Sequence, residues 1–216
     1  MYDKLKDYLS EDRLKTYLNF TNNDNKTAIE LYELNIKISN SFNYPLEIFE
    51  VMLRNTINIT LIKYYGEKWY EENFLLEHHK EKLKEVYKLL EKEKKEINLN
   101  NIISNVSFGF WVDFFHMKYK NTVGSKLINI FKCNLEQGFL YNKLSKIKNK
   151  LRNRIAHREN MIKYNIMNLY GILLQMISFI DSDISNYVKT KCKINEIYMK
   201  NKDILDKFYE MCNKNK

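Results

Sequence analysis

Residues that interrupt helices are scarce in this chain, which has one proline and five glycines among its 216 residues. Few such breakers favour long helices over many short strands. In addition, no segment alternates between polar and apolar residues over a useful length, as strands do. The sequence therefore predicts an all-α protein, and its length is enough to bury a core within one helical domain.

Cysteine is also scarce, and the three that are present, Cys133, Cys192 and Cys212, show no C-x-x-C spacing. An odd number without that spacing supports neither a disulfide framework nor a zinc site. We therefore expect a reducing, cytoplasmic location, with no metal and no other cofactor. Residues 1–6 carry an acid, Asp3, and no apolar run, so we expect no signal peptide. The most apolar segment, residues 167–180, is shorter than the ~20 residues that a membrane-spanning helix needs.

Positive charge is concentrated in one third of the chain. The net charge is +9, yet residues 114–180 hold twelve lysines and arginines against two acids, Glu136 and Glu159, while the remaining residues hold 24 bases and 25 acids. A lysine-rich composition alone would spread solvated lysines evenly, and the near-neutral remainder argues against that interpretation. Concentrated positive charge is typical of a surface that binds a polyanion such as a nucleic acid.

Arginine is rare, because lysine supplies all but five of the 36 basic residues. Three of the five arginines, Arg152, Arg154 and Arg158, nevertheless fall within seven positions, with His157 among them. The planar guanidinium is well suited to phosphate, and the imidazole gains or loses a proton near neutral pH. Taken residue by residue, the same pattern also fits a basic helix end that is capped by a histidine.

The string Arg152-Asn-Arg-Ile-Ala-His157 resembles the Arg-x(4)-His motif of HEPN-domain ribonucleases, in particular their abortive-infection (Abi, AbiD/AbiF-like) branch. Two further stretches, residues 28–35 running through 50–55 and residues 107–111, support the resemblance in the same order along most of the chain. Members usually continue after the motif histidine with His-Glu-Pro. This chain continues with Arg158-Glu159-Asn160, so the departure concerns the backbone that follows His157.

The resemblance implies a HEPN-like helical bundle with additional N-terminal helices. A single domain would then comprise an N-terminal helical portion (residues 1–97), a HEPN-like portion (98–190) and a C-terminal helix (191–216). The resemblance also implies a homodimer in which two motifs form a composite cleft. The function implied is that of a metal-independent endoribonuclease, an abortive-infection or toxin effector in phage defence. For some relatives it further implies a structured noncoding RNA as partner.

RNA carries its own nucleophile, the 2′-hydroxyl, so its cleavage needs a proton acceptor, a proton donor and positive charge near the phosphorus. We assign proton transfer to His157, charge stabilisation to Arg152, and orientation of the reacting groups to Asn153. The residues expected to hold the flanking phosphates are all basic: Arg154, Arg158, Lys150 and Lys146. Products with a 2′,3′-cyclic phosphate and a 5′-hydroxyl are what the resemblance implies.

Helical geometry complicates this assignment. In an ideal helix Asn153 and His157 are about 40° apart, but Arg152 and His157 are about 140° apart and do not share a face. The helix could end or bend near Ala156. Alternatively, the two side chains could converge across a two-fold dimer to which each chain contributes one motif.

Two further helices precede the charged region. Residues 26–39 are predicted to form one helix, and Pro45 is predicted to lie in the first turn of a second that runs to about residue 65. The second helix is apolar on most sides yet carries Glu50 and Arg54, with Asn55 beside them. These residues either form an internal ion pair that fixes packing or support the catalytic residues from behind.

The motif helix is predicted to begin at residue 138 or 139. Its apolar residues recur in steps of three and four, which predicts one buried stripe: Leu140, Leu144, Ile147, Leu151 and Ile155. Earlier in the chain, His78 and His79 are adjacent and cannot point to one metal ion from a single helix face. We therefore expect both to be exposed.

Two other functions remain open from the sequence. A non-cleaving HEPN module would keep the basic surface for RNA binding and lose the chemistry, and the altered residues after His157 point in that direction. A helical scaffold would instead present its basic surface to a protein or to a membrane surface, although we expect no membrane-embedded segment.

Overall fold

A computed structural model describes residues 2–214, and within that range the chain is helical and contains no strand, which confirms the predicted all-α class. Short 3-10 and π-helical turns separate several of the α-helices. None of the helices in this range is both long and apolar enough to cross a bilayer. The α-helices are α1 (Tyr2–Leu9), α2 (Glu11–Phe20), α3 (Asn25–Tyr65), α4 (Glu77–Lys92), α5 (Leu99–Asn105), α6 (Phe108–Asp113), α7 (Ser125–Leu127), α8 (Gln137–Lys146), α9 (Asn153–Ala156), α10 (Ile166–Ile180), α11 (Ser182–Lys191), α12 (Ile194–Lys200) and α13 (Lys202–Asn213).

Helix α3 is one continuous helix of 41 residues, so the prediction of two helices with a break before Pro45 is wrong. A proline inside a helix has no N–H to offer the carbonyl four residues earlier, which here is that of Ser41. The thiol of Cys192 lies 3.9 Å from this carbonyl oxygen and donates a weak hydrogen bond to it. The carbonyl thus has a substitute partner, and the helix continues through the proline.

Contacts divide the described chain into two compact units that each combine segments distant in sequence. We call residues 2–46, 149–174 and 187–214 the motif unit, because they contain Arg152 and His157. Residues 47–148 and 175–186 form the second unit, which we call the aromatic unit. The single domain with portions that meet at residues 97/98 and 190/191 stays a prediction.

Aromatic side chains fill the core of the motif unit. The ring of Tyr17 in α2 stacks on that of Phe208 in α13, with centroids 5.5 Å apart, and meets the ring of Tyr32 in α3 edge-on at 5.7 Å. Leu14 and Leu18, which share a face of α2 with Tyr17, are also buried. The helical N-terminal segment is thereby packed against the first half of α3 and the last helix.

The aromatic unit is built around Trp69, whose ring lies about 6 Å from those of Phe110, Trp111 and Phe114. All four side chains are buried. Residues 107–111 form one of the stretches that support the resemblance to HEPN-domain ribonucleases. In the structure, Trp111 of this stretch is a core residue rather than an exposed ring.

His79 is fully buried in this core, so the prediction that both adjacent histidines are exposed is wrong for His79. Its Nε2 lies 3.0 Å from the carbonyl oxygen of Phe110, which only accepts, so Nε2 carries the proton. Its Nδ1 then accepts from the Tyr119 hydroxyl at 2.8 Å, and that hydroxyl accepts from the Leu76 amide at 2.9 Å. Burial lowers the pKa of His79 to about 4, so the ring is neutral at pH 7.

Candidate nucleic-acid site

The motif follows a helix that changes type along its length. Helix α8 continues into a π-helical segment, Ile147–Arg152, which passes into the single turn of α9. π-helical turns are rare and often lie at functional sites. Four of the five residues predicted to form the buried stripe are buried, whereas Ile155 is partly exposed. The wider π turn changes the rotation of the residues that follow, and Ile155 accordingly leaves the stripe.

The helix ends immediately before His157, in a turn with two characteristic hydrogen bonds. The amide of Glu159 donates to the carbonyl of Arg154 at 2.8 Å, and the amide of Arg158 donates to that of Ile155 at 2.9 Å. This pair of bonds defines a Schellman motif. Its left-handed position is usually glycine, but here it is Arg158, with a φ of 54°. The departure from the family pattern after His157 therefore falls on a strained turn.

His157 is exposed, whereas Arg152 and Asn153 are partly buried. The His157 amide still donates to the Asn153 carbonyl at 3.0 Å, the regular bond of an α-helix, so its side chain leaves the helix at the regular position. At regular α-helical spacing Asn153 lies about 40° from His157 around the helix, whereas Arg152 is the last residue of the π-helical segment. Whether Arg152 and His157 converge at the end of this helix or across a dimer stays a prediction.

Arg154 already has partners within the motif unit. Its guanidinium forms a salt bridge with the carboxylate of Glu159, and its Nε donates to the carbonyl of Asn149 at 3.1 Å. Both side chains of the salt bridge are about one-third exposed. These contacts indicate that Arg154 stabilises the end of the helix. They argue against the prediction that Arg154 contacts a phosphate.

Lys150 lies beside an aromatic residue that sequence analysis missed. The amino groups of Lys150 and Lys163 lie 5.4 and 5.3 Å from the ring centroid of Tyr164, which is partly exposed. Rings beside cationic side chains are typical of surfaces that bind single-stranded RNA, since they stack on bases while the cations hold phosphates. The one available signal was that Tyr164 follows the motif by seven residues.

Arg158 also has a distant neighbour. The Nη1 of Arg13 in α2 donates to the carbonyl oxygen of Arg158 at 3.3 Å, and both residues are exposed. These two residues are 145 positions apart, so no local pattern could have indicated the contact. It places a second guanidinium next to the turn that follows His157.

Lys148, although it belongs to the basic third of the chain, is paired with a carboxylate within the aromatic unit. Its amino group lies 2.8 Å from one carboxylate oxygen of Asp113, and that of Lys82 lies 3.3 Å from the other. Burial alone would raise the pKa of Asp113, but the hydrogen bonds and charges of these two lysines outweigh burial and hold it below its usual value. Lys148 therefore has a structural role and is a poor candidate for an RNA contact.

Four other predicted residues, Lys146, Glu50, Arg54 and Asn55, belong to the aromatic unit. The Nε of Arg54 donates to the side-chain oxygen of its neighbour Asn55 at 3.1 Å. Glu50, Arg54 and Lys146 are partly buried and Asn55 is exposed. Two predictions stay predictions. One is that Glu50, Arg54 and Asn55 support the proposed catalytic residues, and the other is that Lys146 binds a phosphate.

Metal-binding groups do not cluster in the part of the chain that the structure describes. In residues 2–214, no three histidine, cysteine, aspartate or glutamate side chains are close enough together to hold a metal ion. The adjacent rings of His78 and His79 have centroids 4.2 Å apart, but both nitrogens of His79 are engaged within the core.

No protein-family model, curated protein or solved structure matches the chain. The assignment of a function consequently depends on the residues of the motif and on their surroundings.

Proposed function

We propose that the protein is a metal-independent endoribonuclease of the HEPN type that acts as an abortive-infection or toxin effector in phage defence. The observation that carries the proposal is the position of His157, an exposed imidazole at the end of a helix, in the segment where arginine is concentrated. A histidine that served only the core would be buried with both nitrogens engaged, as His79 is. An exposed histidine can exchange protons with a bound substrate.

The proposed reaction needs only protein side chains and the RNA itself. One His157 takes the proton of a 2′-hydroxyl while the 2′-oxygen attacks the adjacent phosphorus. The bond from phosphorus to the 5′-oxygen of the next nucleotide breaks, and that oxygen receives a proton from a second, protonated His157. Arg152 stabilises the charge that develops on the phosphoryl oxygens, and Asn153 orients the imidazole. The products carry a 2′,3′-cyclic phosphate and a 5′-hydroxyl.

The reaction requires two imidazoles, whereas each chain carries one motif. A two-fold homodimer supplies the second and also places an Arg152 from one subunit near the His157 of the other. An ideal α-helix would separate Arg152 and His157 by about 140°, which supports this arrangement, because neither residue then has to reach around its own helix.

A second candidate is an RNA-binding module without cleavage activity, such as one that holds a structured noncoding RNA. Tyr164 between two lysines favours this candidate, since stacking and phosphate contacts bind RNA without any chemistry. The strained turn at Arg158 favours it also, because this turn lies where the chain departs from the family sequence.

A cleavage assay separates these two candidate functions. Purified wild type, Arg152→Ala and His157→Ala are each incubated with total RNA in EDTA. We expect cleavage by the wild type alone, while all three proteins bind RNA in a gel-shift assay. His78→Ala is the control, because this partly exposed histidine lies in α4 outside the motif. Binding by all three without cleavage by any would support the RNA-binding module instead. Equal cleavage by wild type and His157→Ala would overturn the nuclease proposal.

A further inference from the structure

A cleft of about 530 Å³ lies in the motif unit, beside the end of the motif helix. One wall is a face of α3 that includes Ile36, Ser39, Asn40 and Asn43, and the other includes Ile155 and Arg158. Its volume falls within the range of about 300–1,000 Å³ that small-ligand sites have. We infer that this cleft is a subsite for one unpaired nucleotide of the RNA. The inference extends the proposed function, on which it rests.

The wall formed by α3, which also includes Asn35, is tied to the segment that follows the motif. Asn35, on the same helix, is buried, and its side-chain oxygen accepts from the amides of Met161 at 2.7 Å and Ile162 at 3.4 Å. These bonds tie α3 to the segment that follows the motif. These buried polar contacts fix the position of α3 relative to the segment that follows the motif, and such a pre-organised wall lowers the cost of binding a ligand.

Two amides are available to read a base. Asn40 and Asn43 are exposed and lie one turn apart, and neither makes a side-chain hydrogen bond among the described residues. An asparagine amide offers two N–H donors and one carbonyl acceptor. This combination matches the mixed donors and acceptors on the edge of an unpaired base. Ile36, which is 41% exposed, and Ile155 supply apolar surface for the face of the ring.

The charge at the cleft suits a nucleotide. Arg158 lines it, and the guanidinium of Arg13 is bound to the carbonyl of the same residue. Of the described residues that line the cleft, none is acidic. A second cavity in the motif unit, of about 470 Å³, is instead lined by three acids against two lysines: Glu30, Glu33, Glu196, Lys37 and Lys200. The distribution of charge thus selects the first cleft for an anionic ligand.

The position of the cleft indicates what the subsite would do. Ile155 directly precedes Ala156 and Arg158 directly follows His157, so the cleft borders the catalytic residue along the chain. A base held there belongs to a nucleotide next to the phosphodiester that is cleaved when His157 accepts the proton of the 2′-hydroxyl. Asn40 and Asn43 would therefore determine which base is preferred beside the cleaved bond.

Binding of 2′-O-methyl RNA pentamers of A, C or U to the full-length protein tests this inference, since these RNAs cannot be cleaved through the 2′-oxygen. We expect wild type to prefer one composition about fivefold or more, the discrimination of one paired amide–base contact. The double variant Asn40→Ala/Asn43→Ala should lose the preference while remaining folded, because alanine favours an exposed helix. Asn195→Ala, an exposed asparagine in α12, should retain it.

Equal affinities of the wild type for the three pentamers, or a preference that survives in the double variant, would overturn the inference. The outcome is independent of catalysis. If the protein cleaves natural RNA but shows no base preference, the nuclease proposal is supported and the subsite is contradicted. If the base preference depends on Asn40 and Asn43 but the protein cleaves no RNA, the subsite is supported and the nuclease proposal is contradicted.

Discussion

The guanidinium of Arg13 donates a hydrogen bond to the carbonyl oxygen of Arg158, which is the residue with left-handed backbone directly after His157. An arginine at this position lacks the freedom of glycine, and a left-handed conformation costs an L-residue roughly 1–2 kcal/mol. The hydrogen bond from α2 supports the strained turn. The chain thereby retains a cation at a position where stability alone would favour glycine.

Replacement of Arg158 by glycine should therefore stabilise the fold. We expect Arg158→Gly to be more stable than Arg158→Ala by about 1 kcal/mol in urea unfolding, because both lose the guanidinium and only glycine relieves the backbone. RNA affinity should fall equally in the two variants. A glycine variant no more stable than the alanine variant would contradict the account of this turn.

Lys148 and Lys150 are two residues apart and should behave differently. Lys148→Ala removes the 2.8 Å contact with Asp113 and should cost about 1–2 kcal/mol of stability, with little change in RNA binding. Lys150→Ala should leave stability within about 0.5 kcal/mol and weaken RNA binding. It should also reduce the slope of log affinity against log salt by about 0.7. The same effect of both substitutions on RNA binding would refute the division of roles.

Glu159 should restrain RNA binding through Arg154. Glu159→Gln removes one negative charge and releases the guanidinium, so we expect tighter RNA binding with a salt slope steeper by about 0.7. The loss of stability should not exceed about 1 kcal/mol, because the salt bridge is partly exposed. Glu210→Gln makes the same charge change at an exposed position in α13 and serves as the control. Weaker binding by Glu159→Gln would show that the salt bridge supports the RNA site.

His79 should make the fold sensitive to acid. The pKa of His79 is about 4 in the folded state and 6.5 in the unfolded state. Between these two pH values the unfolded state binds a proton on this ring and the folded state does not, so stability falls as the pH falls. The contribution of His79 is complete above pH 6.5, and about 3 kcal/mol of it is lost by pH 4. Urea unfolding should show this loss in wild type and a flatter profile in His79→Gln. A folded-state pKa near 6.5, measured for the ring by NMR, would contradict the buried assignment.

Local patterns predicted the helical class and the buried stripe through Leu151. Ile155 left the stripe because of the local π-helical turn, whereas at two other failures a residue distant in sequence makes the contact that local patterns could not show. Pro45 was expected to begin a helix, but the Cys192 thiol caps the carbonyl that the proline leaves without a donor. His79 was expected at the surface, but Tyr119 and the Phe110 carbonyl satisfy both of its nitrogens inside the core.

The candidate site was predictable only in part, for the same reason. The concentration of arginine identified the motif helix, but it could not show that Glu159 engages Arg154 or that Arg13 lies beside Arg158. The asparagines of α3 carried no signal of their own. Only the packing of α3 against the segment after the motif turns Asn40 and Asn43 into the wall of a cleft.

The chemistry of the cleaved ends tests the central claim most directly. An RNA oligonucleotide cut by the wild type in EDTA should yield a 2′,3′-cyclic phosphate and a 5′-hydroxyl, as resolved by mass spectrometry. A single 2′-deoxy substitution at the cleaved nucleotide, or His157→Ala in the protein, should abolish the cut. Products that end in a 3′-hydroxyl and a 5′-phosphate, or undiminished cleavage of the deoxy-substituted RNA, would contradict a reaction in which His157 activates the 2′-hydroxyl.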